Sequence, residues 1–315
     1  MVYKSFAASV VGSNHIKHGK DKEDRAGCLD NPKMSLAIVA DGHGADECFR
    51  CATGAKIATE CAIDALQDFI NKLEPRFKED FLRKASPPSR QEFDGMLRTL
   101  VKNIIARWHD EVDMDIKAKP FTAAELEKAG EKYRKKYEAG ECLYKAYGTT
   151  LIAAAVTSHY WFGIHIGDGR FTALYRDGSF DQPVPWDEKC FLNQTTSICD
   201  EDAAERARVY HSFNSEKAPP AAIFLCSDGV DDNYPVEENE KYLFRLYRTI
   251  ALTFAEEGFD STTRQIKDLA NSFASKGKGD DTSIAGMVDM DVIKQAAPIW
   301  RRQIAAEEQA AEKTL

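Results

Sequence analysis

Three apolar stretches of this chain end in an aspartate: SLAIVAD at Asp41, YWFGIHIGD at Asp168 and AAIFLCSD at Asp228. A fourth, TSIAGMV, is preceded by Asp280–Asp281, and Glu23–Asp24 lie just before the first strong apolar run. If these stretches are antiparallel strands, their exits and entries put the acids at one edge. Such a cluster is costly, because like charges repel and burial favours the protonated carboxyl. Few Lys or Arg residues stand near those ends, so divalent cations are the natural compensation. Hard oxygen donors select Mg2+ or Mn2+ over zinc. Two such ions, roughly 3.5–4 Å apart, can hold a water between them as hydroxide, a nucleophile for phosphoester hydrolysis.

The residues after Asp41 fit this chemistry. Gly42 permits a sharp turn and brings its carbonyl near a cation. His43 can donate a proton to a departing alkoxide, and Gly44 opens the way into a helix. Any one Asp-Gly is commonly a turn, and a lone histidine is commonly structural. The weight rests on four strand ends and a glycine-flanked histidine occurring together.

Bulk properties narrow the choice. The chain has 315 residues, 43% of them hydrophobic and 30% charged, which suits a globular domain with a sizeable core. The net charge of −9 gives no basic footprint for nucleic acid or an anionic membrane. No apolar run is long enough to span a bilayer, and the start lacks the pattern of a signal peptide. The eight cysteines sit largely in apolar context and read as free thiols of a reducing compartment, so a cytoplasmic location is expected. Cys48-x-x-Cys51 has no second pair at zinc spacing and reads as two positions near a core face. None of the cysteines has an Arg six positions on, which disfavours a thiolate phosphatase.

The elements that must position the acids are legible in outline. Residues 35–41 read as a strand buried on both faces. A helix is expected from Asp46 to Ile70, then a break at Pro87–Pro88, and a second helix from a capping box at Ser89–Glu92 to about Ile116. Residues 117–140 are charge-rich, with another capping box at Thr122–Glu125, and read as a surface excursion. Residues 149–157, 160–168 and 171–180 read as a three-stranded meander. Residues 181–218 read as an irregular flap. A strand over 221–229, helices over 238–257 and 261–275, a strand over 280–290 and a helical tail over 291–315 complete the chain, with Ile299, Trp300 and Ile304 favouring a packed tail. The simplest organisation is one domain, residues 1–290, with helices outside, strands within, and the tail appended.

With these residues in hand, the sequence resembles the PP2C (PPM) family of metal-dependent protein phosphatases, over about Ser9 to Met290. The resemblance rests on ED at 23–24, DGHG at 41–44, GTT at 148–150, GDGR at 167–170, SDGV at 227–230 and GDDTS at 279–283. GSNHIKHGKDKED is closer to bacterial-type members. The resemblance implies an α+β fold, an α/β/β/α sandwich of two antiparallel sheets between helical layers. It also implies phosphoserine and phosphothreonine hydrolysis in a phosphorylated protein substrate, by a metal-bridging hydroxide without a phosphoenzyme. Asp41 would bridge the two Mg2+ or Mn2+ ions, the Gly42 carbonyl would bind one, and Asp228 and Asp280 the other. Asp281 is the second choice at the last motif. Glu23 and Asp24 would hold waters on the metals, Asp168 would bind a third, weaker ion, and His43 would be the general acid. A signalling role follows from that activity.

Three departures from the family pattern bear on the site. The family's phosphate-binding Arg falls at Gly19, leaving Lys20 and His18, with His15, as nearby substitutes. GDGR replaces the common GDSR. Asp231–Asp232 stand where the family has a Trp after SDG-aliphatic. Two other readings remain at this point: a phosphatase-like binding module without turnover, for which the missing Arg argues, and a metal-dependent phosphodiesterase.

Overall fold

The apolar runs are buried on both faces because two sheets are stacked between helices. The computed structural model describes residues 3–83, 88–184, 187, 190, 195–276 and 279–312. The first sheet has the order β1 (Tyr3–Val10), β10 (Thr282–Asp289), β9 (Ala222–Cys226), β6 (Arg170–Leu174), β7 (Phe180–Asp181). The second runs β2 (Arg25–Asn31), β3 (Met34–Ala40), β4 (Leu151–Thr157), β5 (Tyr160–Ile166), β8 (Arg208–Phe213). All neighbouring strands are antiparallel. The α+β sandwich expected from the sequence is the fold observed.

The two-residue period of a strand sorts its side chains between layers. Leu36, Ile38 and Ala40 of β3 face a core shared with α2 (Cys51–Arg83) and α3 (Arg90–Ala118). Ala37 and Val39 face the other way, meeting Ile223 and Leu225 of β9 and Ala285 and Met287 of β10 between the sheets. On the far side, Phe224, Ile284 and Val288 pack under α8 (Asn239–Glu257), α9 (Phe259–Ala274) and α10 (Met290–Glu312). Ile293, Ala296, Ala297 and Trp300 of α10 are buried in that same core, so the described part of the tail is a packed helix.

Local signals held where they were chemical. Both capping boxes are formed: Ser89 with Glu92 at the start of α3, and Thr122 with Glu125 at the start of α4 (Ala123–Lys128). The helix expected from Asp46 instead opens with a 3-10 turn, Asp46–Cys48, and α2 runs beyond Ile70 through Pro75. Leu73 and Phe77 pack on the core on either side of that proline and offset its lost N–H donor. Pro87 lies outside the described residues, as do the ends of the tail and residues 185–186, 188–189 and 191–194 of the flap.

Two expectations are corrected. The meander breaks after its second strand: β6 pairs with β9 and β7, not with β5. Gly167, at φ 117°, turns the chain out of the second sheet and into the first, a conformation open mainly to glycine. The flap is also not irregular throughout. It contains α6 (Ala203–Arg206) and β8, which pairs with β5. Val209 and Phe213 of β8 face the α3 side, but His211 and Ser212 interrupt the apolar alternation and mask it in the sequence.

The charge-rich segment after α3 holds α4 and α5 (Gly130–Glu138). Phe121 and Tyr137 pack edge-on against Phe49, and the Tyr137 hydroxyl donates to the Glu47 carbonyl at 2.7 Å. Arg50 is gripped by Glu125 and Tyr147. These contacts fix residues 47–50, the segment that follows Gly44 into α2.

Candidate metal centre

The strand ends bring acids from both sheets to one place. Asp41 follows β3 and Asp168 follows β5, in the second sheet; Asp228 follows β9 and Asp280–Asp281 precede β10, in the first. The carboxyls of Asp41 and Asp228 are in hydrogen-bond contact, and Asp24 and Asp168 lie within electrostatic reach of Asp41. Asp168 and Asp280 act on Asp228 in the same way.

The loop carrying Asp41 is clamped by the GTT segment. Asp41 N–H donates to Thr150 Oγ1 at 3.0 Å, and the Asp41 carbonyl accepts from Thr150 N–H at 2.7 Å and from Thr149 Oγ1 at 2.8 Å. One step on, His43 N–H donates to the Gly148 carbonyl at 3.1 Å. Gly42 is needed for close approach: a Cβ there would lie 2.7 Å from the Glu23 carbonyl oxygen. The sequence shows GTT as a motif without indicating this task.

Asp281 does a different job from its neighbour. Its carboxylate is buried and accepts from three backbone N–H groups: Gly12 at 2.7 Å, Glu23 at 2.5 Å and Asp24 at 3.2 Å. It thereby ties the Glu23–Asp24 segment to the start of β10. Asp280 is about half exposed, with Oδ1 accepting from Asp281 N–H at 2.8 Å. Ser227, the residue before Asp228, donates to Asp24 Oδ2 at 2.8 Å, a contact the sequence reading missed.

The cations proposed in place of the family's Arg are spread out. The segment α1 (Ser13–His18) ends at Gly19, a C-cap with φ 62° that strains any other L-residue. His18 is exposed on that helix, its Nδ1 2.8 Å from the Asn14 carbonyl. Lys20 reaches the rim, where Nζ donates to the Gly44 carbonyl at 3.3 Å. His15 is buried among acids, with Nδ1 2.9 Å from Asp281 Oδ1 and Nε2 3.6 Å from Glu23 Oε2.

Burial and mutual repulsion dominate the electrostatics of these acids. Burial, then Asp24, Asp228 and Asp168, push Asp41 well above the usual carboxylate range. Burial and Asp168 do the same to Asp228, burial raises Asp168, and burial with Asp281 holds Asp24 at about 7. Burial also raises Glu23, against the pull of His15. The His43 imidazole is lowered to about 3 by burial and by Lys145, and its Nε2 is buried with no hydrogen-bond partner among the described residues. As they stand, no three His, Cys, Asp or Glu side chains among the described residues are close enough to enclose an ion together. Asp41 and Asp228 are nonetheless in carboxyl contact. An all-oxygen donor set with unbalanced negative charge fits Mg2+ or Mn2+.

This predicts a pH-dependent response to metal. Unfolded, these acids titrate near 4; folded without metal, they keep protons to about 7 in the case of Asp24. The folded state then binds more protons than the unfolded one, so its stability falls as pH rises across that window. A cation that replaces those protons is expected to raise the melting temperature more at about pH 7.5 than at about pH 5. Equal shifts in a thermal melt would contradict the assignment.

The sequence matches the family profile described as Protein phosphatase 2C over residues 11–270. The chain belongs to the protein phosphatase 2C family. It is therefore a protein serine/threonine phosphatase by class, and phosphatases of this family use Mg2+ or Mn2+. Two solved structures share the fold. Serine/threonine phosphatase Stp1 from Staphylococcus aureus is 16% identical, with 92% of this chain and 95% of that one covered and a TM-score of 0.52. The phosphatase PstP/Ppp of Mycobacterium tuberculosis is 15% identical, with 91% and 99% covered and a TM-score of 0.51. Comparison with curated protein sequences gives no match. The departure from the protein phosphatase 2C pattern after SDG-aliphatic now has a structural partner. Asp231, in the short helix α7 (Asp228–Asp231), is buried and takes Nε and Nη2 of Arg170 on Oδ2, both at 2.7 Å. Burial still outweighs that guanidinium and holds Asp231 at about 6. Among the described residues, no helix is long and apolar enough to cross a membrane.

Proposed function

We propose that this phosphatase hydrolyses phosphoserine and phosphothreonine in proteins at the centre formed by Asp41, Asp228 and Asp280, with Glu23, Asp24 and Asp168 around them. The observation that carries the reading is the carboxyl contact of Asp41 with Asp228, which come from strand ends of the two different sheets. Asp41, the Gly42 carbonyl, Asp228 and Asp280 would hold two ions, Asp168 a third, and Glu23 and Asp24 their waters; Asp281 holds the segment that carries those last two. Mg2+ or Mn2+ held there would lower the pKa of water for direct phosphoester hydrolysis, without a phosphoenzyme.

The chain's own groups do the rest. The Thr149–Thr150 clamp fixes Asp41 and, through Gly148, the position of His43. His43 donates a proton to the departing serine or threonine oxygen. A phosphate dianion docked beside the ring raises the imidazole from its depressed value, so its proton arrives with the substrate. Lys20, whose Nζ donates to the Gly44 carbonyl, would meet the incoming phosphate. All the expected acids are present, which supports turnover over a binding role.

The reading is tested by phosphate release from a phosphothreonine peptide. Release is expected only with Mn2+ or Mg2+ and is expected to stop on adding a chelator or in Asp228→Asn. A bis-ester substrate is expected to be left intact. Release that persists in chelator would refute the metal assignment, and preference for the diester would favour a phosphodiesterase.

A further inference from the structure

An open cavity of about 540 Å3 is lined by Asp21, Lys22, Arg25, Ala52, Thr53 and Lys56, whose segments adjoin those of the candidate metal centre. The centre's own segments fix its place. Lys22 and Arg25 flank Glu23–Asp24, and Ala52–Thr53 follow Cys51, whose backbone is packed so closely that a Cβ on Gly42 would lie 3.2 Å from it.

Three of the six lining residues are cations, in a protein with a net charge of −9. Among the described residues, neither Lys22 nor Arg25 has an ion-pair partner. Lys22 Nζ donates to the Ser9 carbonyl at 3.1 Å, and Arg25 Nη1 donates to the carbonyls of Lys22 and Asp24, both at 2.7 Å. Lys56 makes only a loose, exposed contact with Glu60 one helical turn on, at 3.9 Å. Asp21 is the one acid in the lining, so the formal balance is three cations less one carboxylate. The first turn of the long helix α2 adds its positive dipole end. Mutually repelling cations around a cavity favour an anionic guest, and a neutral polar group would leave that repulsion in place.

We propose that this cavity is an anion subsite that takes a second phosphate or a carboxylate of the phosphoprotein substrate, beside the phosphate under attack. The proposal rests on the phosphatase reading above. It gives a strongly acidic enzyme a local means of accepting substrates with acidic flanks, which its overall charge opposes.

The test compares two peptides of one sequence with Mn2+ present. One carries a single phosphothreonine between neutral residues; the other carries a second phosphoserine, placed at each nearby position in turn. At its best position the second phosphate is expected to lower KM roughly fivefold and leave kcat unchanged, the size expected of a few partly exposed ion pairs. The KM ratio is expected to shrink toward one in Lys56→Glu and Lys22→Gln, and also with rising salt. Equal KM values at every position would overturn the proposal, including the case where only free orthophosphate occupies the cavity. A ratio that survives both substitutions would overturn it too. No turnover of either peptide would instead refute the phosphatase reading, so the two failures are distinct.

Discussion

Asp41→Asn is expected to lower kcat for a phosphothreonine peptide by roughly a thousandfold, with little change in thermal stability of the metal-free protein. Asp41 is the acid that touches Asp228 and feels Asp24 and Asp168, so it stands where ions bound from both sheets would meet. Its backbone is held by Thr149 and Thr150 independently of the carboxylate, so an amide of the same shape keeps the loop in place. What the amide loses is the charge that holds the ions. An ion's contribution to transition-state stabilisation is several kcal/mol, and each 1.36 kcal/mol is about tenfold in rate. Stability is expected to hold or rise slightly, because a buried carboxyl raised well above its usual range is replaced by a neutral group. Steady-state kinetics with Mn2+ and a chelated thermal melt are the two measurements. A variant with near wild-type kcat would remove Asp41 from the centre.

His43→Ala carries the second large effect, and it depends on the leaving group. General acid catalysis contributes about 10²–10⁴ in rate where the departing oxygen is a poor leaving group. A serine or threonine alkoxide needs that proton, and p-nitrophenolate does not. The variant is therefore expected to lose at least about a hundredfold in kcat on a phosphothreonine peptide and much less on p-nitrophenyl phosphate. The geometry supports a donor role: the backbone at His43 is held to the Gly148 carbonyl, and the buried Nε2 of the ring has no partner among the described residues. Equal losses on both substrates would mean that His43 only shapes the loop.

What could be read in the sequence follows physical lines. Residues 34–40 and 222–226 announced themselves because every position is buried, so the apolar run is unbroken. The acids at their ends stood out because charge directly after such a run demands a reason. Capping boxes were legible because the Ser89–Glu92 and Thr122–Glu125 bonds are local. What was hidden is non-local. The crossing of β6 into the other sheet depends on a turn at Gly167, and no periodicity records it. The tie of Asp281 to Gly12, Glu23 and Asp24 joins residues up to 269 positions apart. Asp231 showed in the sequence only as a departure from the family pattern, because its partner, Arg170, lies 61 positions away. The vacancy at the family's Arg position was legible as Gly19, but its left-handed cap geometry was not.

The central claim is that acids from both sheets converge to hold a pair of hard cations. Anomalous diffraction from crystals grown with Mn2+ tests it most directly. The expected map has two strong peaks between the sheets' ends, both within bonding distance of Asp41, one reached by Asp228 and Asp280 and one by the Gly42 carbonyl. Peaks elsewhere, or none with Asp41 still bonded to Asp228, would contradict it.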